Sequence, residues 1–175
     1  MDDVKASPFW TFSLGIYRLP GIPAACLTLQ DRHGVDVNVM LYALWLSGQG
    51  RALATADITE IITAMAPWKT NVVVALRGVR RVLRDHREAT GIAASAFAEE
   101  AVQKLRDRIK SVELEAERLQ QEALCALKPP QAWGQPAAPA AAAAQNIDAY
   151  AQALGAEFDP AARQAMLDGV RQVQP

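Results

Sequence analysis

The residues of this chain best suited to chemistry are a short polar series, Gln30, Asp31, Asp36 and Asn38, and a run of arginines, Arg77, Arg80, Arg81 and Arg84. Carboxylates flanked by amides can accept hydrogen bonds or, where burial perturbs them, take up a proton. Guanidinium forks match the oxygen geometry of phosphates and carboxylates. Together the two groups could hold an anionic substrate, with an aspartate as base. The rest of a catalytic apparatus is missing from the sequence. His33 and His86 are the only histidines and Cys26 and Cys125 the only cysteines, and their spacing resembles no zinc site, so neither a metal nor another cofactor is expected. Nothing close in sequence activates Cys26 as a nucleophile, and no glycine-rich phosphate loop is present.

Each polar residue also has a structural explanation. Asp36 immediately precedes the apolar run VNVMLYALWL, where its carboxylate can cap the unpaired amides of a first helical turn. Gly34 suits the left-handed residue that ends the preceding helix. Asp31 would then sit at a helix C-terminus, against the dipole, and calls for a cation; an ion pair of Asp31 or Asp36 with Arg77, Arg80 or Arg81 is the expected solution. Asn38 opens an otherwise apolar helix and must find partners if buried. The favoured reading is an internal polar network of Gln30, Asp31 and Asn38, with a ligand site as the alternative.

The spacing of Phe9-Trp10, Phe12-Ser13, Leu29-Gln30-Asp31, Gly34, Asp36-Val37-Asn38 and Leu44-Trp45, followed by Trp68, Leu76-Arg77 and Arg80-Arg81, is similar to that of a proteobacterial family of proteins of unknown function. The resemblance covers about residues 8 to 87. It implies which positions belong together and carries no activity with it.

The elements that would position these residues are helical throughout. Ser7-Pro8 is a cap and first-turn pair for a first helix, and Pro20-Gly21 and Pro23 separate it from a second that ends near Gly34. A third runs from Asp36 to about Ser47. Asp57 and Glu60 form a capping box for a fourth, which Pro67 ends or kinks, and a fifth extends from Trp68 to about His86. Residues 72–74 are a valine run, yet Val72, Leu76, Val79 and Leu83 repeat at helical spacing, which favours helix over strand. At about 100° per residue, Arg77, Arg80, Arg81, Arg84 and Arg87 fall in one sector beside that apolar row. The expectation is a helix with a core face and an arginine face, the latter a solvated surface or an anion site for phosphate, an acidic partner or nucleic acid. The absence of interleaved aromatics argues against nucleic acid.

Val102, Leu105, Ile109, Val112, Ala116, Leu119 and Ala123 follow with alternating steps of three and four, the pattern of a heptad seam. Such a seam offers a parallel homodimer through residues 102–123, with Arg108 facing Glu113, or an antiparallel hairpin with the fifth helix; the hairpin is preferred because two alanines thin the seam. Residues 129–144, PPQAWGQPAAPAAAAA, change composition abruptly and are expected to form a semi-stiff linker. Beyond it, residues 145–173 carry two short amphipathic pieces, the second opened by Asp159-Pro160.

The chain therefore divides into an expected helical domain, residues 7–128, a Pro/Ala linker, 129–144, and a detachable docking segment, 145–173, in an all-α multi-helix bundle. With 175 residues, 51% of them hydrophobic and 21% charged, it can bury a core without disulfides or metals. A net charge of -1 argues against a generally basic nucleic-acid binder. An acidic start without a signal-peptide core, no membrane-length apolar run and two distant cysteines point to a reduced, cytoplasmic setting. The function favoured is an interaction or adaptor protein with a protein partner; the alternative is a small enzyme or ligand binder for an anionic substrate.

Overall fold

The computed structural model describes residues 7–84 and 97–173. It is a multi-helix, all-α protein with one two-residue strand pair. The elements are α1 (Pro8–Tyr17), α2 (Ile22–His33), α3 (Val37–Gly48), β1 (Arg51–Ala52), α4 (Thr55–Trp68), a π-helical segment (Lys69–Val74), α5 (Ala75–Arg84), α6 (Glu99–Leu127), β2 (Gln135–Pro136), α7 (Pro139–Ala153) and α8 (Pro160–Val173). His86 and Arg87, and with them the expected end of the fifth helix, lie outside the described residues.

The helix starts follow the expected chemistry. Ser7 Oγ accepts from the Trp10 amide, Asp36 Oδ1 accepts from the amides of Asn38 and Val39, and Asp159 Oδ1 accepts from the Ala162 amide. Gly34 closes α2 with φ at 68°. The fourth helix starts earlier than expected: Asp57 is not its first residue but lies in its first turn, where its carboxylate reaches back to the Ala54 amide at 2.8 Å. Pro67 lies inside α4, whose last residue is Trp68. The widened π segment that follows takes up the valine run, so residues 72–74 are helical and not a strand.

The chain forms two compact units, one of Met1–Ala64 with Gln121–Pro175 and one of Met65–Gln120. The first contains α1 to α3, the strand pair, α7 and α8. Its core gathers Phe9, Ile16, Leu29, Tyr42, Leu44 and Leu53 from the N-terminal part of the chain with Trp133, Ile147, Tyr150 and Met166 from the C-terminal part. The boundary expected at Lys128 is thus replaced: the tail is part of the first unit's core. Residues 129–144 are not a linker. Trp133 is fully buried, residues 135–136 pair antiparallel with 51–52, and α7 begins at Pro139, where a proline needs no amide partner and five successive alanines continue the helix. Gly134 makes the strand pair fit, because at its φ of +48° a Cβ would stand 2.1 Å from the Ala52 carbonyl oxygen.

The second unit is an antiparallel helical hairpin. Contacts descend along α6 as they ascend along the other arm: Trp68 Nε1 donates to the Ala116 carbonyl, Arg77 reaches Glu117 and Glu113, and Arg80 reaches Glu113. The preferred hairpin is therefore formed, but on a seam shifted from the expected heptad row. The buried positions of α6 within this unit are Glu113, Ala116 and Gln120, whereas Leu105, Val112 and Leu119 are 43%, 46% and 40% exposed.

Candidate functional site

The two candidate groups of the sequence belong to different units. In the first unit, Asp31 is exposed and accepts a hydrogen bond from the neighbouring Gln30 amide group at 3.3 Å. Asp36 is buried and caps α3. Asn38 accepts from Gln121 Nε2 at 2.8 Å. Asp36 and Asn38 fix the start of α3.

A buried polar network of this unit involves residues that the sequence reading did not single out. Asn146, fully buried on α7, donates through Nδ2 to the carbonyls of Ala43 and Arg51 and accepts from the Leu53 amide through Oδ1. One side chain thus ties α3 to the strand residue Arg51 and to Leu53 through three backbone groups. Four residues on, the Tyr150 hydroxyl accepts from the Asp36 amide at 3.0 Å and donates to its carbonyl at 3.3 Å. Burial, and then the Asp36 charge, hold the Tyr150 phenol far above its usual range. Tyr42 is likewise pushed up to about 12 by burial, against a hydrogen bond from Trp133 Nε1 to its oxygen. Arg51 completes the set by donating to the carbonyls of Trp133 and Gly134 at 2.6 and 2.7 Å. The four-residue spacing of Asn146 and Tyr150 on an alanine-rich helix was the signal available for them.

Neither thiol is primed for chemistry. Cys26 is buried against Met166 and its pKa is raised to about 12 by burial, while Cys125 is raised by burial and by Glu122. A groove of about 500 Å³ in the first unit is lined by Leu53, Ala54, Thr55, Gln145, Asp148, Ala149 and Gln152. Its one carboxylate, Asp148, is held bidentately by Arg163 at 2.8 and 2.9 Å. None of the expected site residues lines it.

The arginine group belongs to the second unit and is arranged differently from the expected stripe. Arg77 and Arg80 point into the hairpin, about a quarter exposed or less, and converge on Glu113, whose side chain is 8% exposed. Arg77 Nε donates to Glu113 Oε1 at 3.0 Å, its Nη2 to Glu117 at 3.0 Å, and Arg80 Nε to Glu113 Oε2. Two glutamates of α6 thus hold the arginines for which Asp31 or Asp36 was expected as partner. Burial raises the Glu113 carboxyl, but the hydrogen bonds from Arg80 and Arg77 outweigh it and hold the group below its usual range. The hydrogen bond to Glu113 correspondingly raises Arg80. Arg81 and Arg84 are exposed.

With Arg77 and Arg80 turned inward, apolar side chains are left outside. At about 100° per residue, Leu76, Val79 and Leu83 lie roughly a quarter-turn from the Arg77/Arg80 row of α5, and Leu105, Val112 and Leu119 lie a quarter-turn in the same rotational sense from the Glu113/Ala116/Gln120 row of α6. Because the helices are antiparallel, equal senses bring both rows to one side of the hairpin. Val79 is 48% exposed, in keeping with this placement. Exposed apolar residues aligned on one side in this way, with Val79, Leu105, Val112 and Leu119 among them, suit a docking surface, whereas scattered exposed leucines do not.

The fold is that of an all-α multi-helix protein, and among the described residues this apolar side is a site candidate. No helix among the described residues is by itself long and apolar enough to cross a membrane; α1 and α2 pass only when joined across a 99° bend. The chain belongs to the family described as a protein of unknown function, DUF2390, whose model matches residues 8–124. No curated protein and no solved structure matches it. The matched span stops within α6, so Trp133, Asn146 and Tyr150, which complete the first unit, lie beyond it.

Proposed function

We propose that this is a helical interaction protein of the bacterial cytoplasm that binds a protein partner through the apolar side of its 65–120 hairpin. The observation that carries this reading is the exposure of Leu105, Val112 and Leu119, spaced seven apart on α6, in a unit that turns charged groups inward. A seven-residue apolar repeat on a rigid helix suits another helix laid along it. The charge pair of the hairpin supports the reading as well, because two arginines already occupied by Glu113 are poorly placed to take an external anion.

A photo-crosslinking amino acid placed at Val112 in growing cells, compared with one at the equally exposed Leu27 of the first unit, tests the proposal. A discrete crosslinked protein species from position 112 and none from position 27 is the expected result. Equal crosslinking at both positions, or none at 112, would overturn the assignment.

A further inference from the structure

We propose that the occupant of this apolar side is a second copy of the same chain, docked with its α6 antiparallel to the first about a two-fold axis at Val112; the inference rests on the reading of that side as a docking surface. In an isologous pair each contact occurs twice, with residue i facing j and j facing i. An axis at Val112 sets Leu105 of one copy against Leu119 of the other, so that the three exposed residues of the repeat meet only apolar partners. The same axis passes beside the exposed Val79, because Arg80 is the α5 residue level with Glu113. Both arms of the hairpin therefore meet their own copies at apolar positions.

Charge fixes the direction. Arg108 and Glu115 are both exposed and lie on the outer rim of the Leu105/Val112/Leu119 row. Under the antiparallel two-fold arrangement, Arg108 of one copy faces residue 116 of the other, one helical rise of about 1.5 Å from Glu115. Two reciprocal Arg108–Glu115 pairs follow. A parallel arrangement would turn Arg108 toward Glu113 of the other copy. That partner is already taken, because Glu113 is buried on Arg77 and Arg80.

Sedimentation equilibrium of the full chain tests the proposal. The expected species is a dimer whose dissociation constant rises about tenfold or more in Arg108→Glu and again in Glu115→Arg, each of which sets like charges together. The double variant R108E/E115R is expected to return to within about threefold of the parent, since the pairs re-form with reversed sign. Restoration also shows that the single changes did not act by unfolding. A chain that stays monomeric, or a double variant no tighter than the singles, overturns the inference. A monomer that nevertheless crosslinks to a different protein from position 112 overturns the self-association alone, while a monomer without such crosslinks overturns the docking surface too.

Discussion

In the unit of residues 1–64 and 121–175, the buried side chains that organise the fold, Asn146 and Tyr150, are neutral and direct their hydrogen bonds at backbone groups of Asp36, Ala43, Arg51 and Leu53. In the unit of residues 65–120 the organising groups are charged, and Glu113 pairs with the side chains of Arg77 and Arg80. The first strategy costs little desolvation and leaves the apolar residues free to fill a core. The second places ions where a hairpin core would be and leaves valines and leucines outside. The contrast teaches that the exposed apolar residues here are a consequence of how the hairpin is held.

The largest effect expected from this contrast is that of ending the chain at Lys128. The cut removes Trp133, Ile147, Tyr150, Phe158 and Met166, all buried. At about 1.5–3 kcal/mol for each large apolar side chain, the loss is comparable to the entire stability of a domain, about 5–15 kcal/mol. Such a chain should aggregate or lose cooperative unfolding by circular dichroism; a soluble product with a sharp thermal transition would restore the tail as a detachable segment. Next is Asn146→Ala, which removes three buried hydrogen bonds to backbone groups and should cost about 3 kcal/mol, read from the shift of the urea midpoint. A smaller loss, about 1–3 kcal/mol, is expected for Glu113→Ala, which leaves two partly buried arginines without their shared partner. The pH dependence of that contribution follows from its sign. The Glu113 pKa is lowered in the folded state, so its stabilisation is present above the usual carboxyl range near 4.5 and is lost as pH falls through the folded value. Acid titration of the parent should therefore show a loosening below about pH 4.5 that is reduced in Glu113→Ala.

Much of this architecture was legible in the sequence. Ser7, Gly34, Asp36 and Asp159 act locally, through amides or backbone angles a few residues away, and each does what its position announced. The tail was misjudged for a reason that is also physical. Composition made residues 129–144 look like a spacer, but Trp133 in their midst is a large apolar side chain that a solvated spacer would leave exposed, and alanine is compatible with a helix packed closely on another. The arrangement of the arginines depended on partners distant in sequence: helical angle placed them in one sector, yet only the pairing of α5 with α6 decided that Arg77 and Arg80 turned inward while Arg81 and Arg84 stayed exposed. The heptad row was displaced to a neighbouring one for the same reason, since Glu113 and Gln120 won inward positions through partners that a hydrophobic pattern does not register.

The smallest expected effect tests the central claim most directly. If the row of Leu105, Val112 and Leu119 is a surface held outside the hairpin core, Val112→Asp should shift the urea unfolding free energy by no more than about 0.5 kcal/mol, measured at protein concentrations too low for association. A loss of about 2 kcal/mol or more, the scale of a charge buried without a partner, would contradict it and place Val112 inside a core.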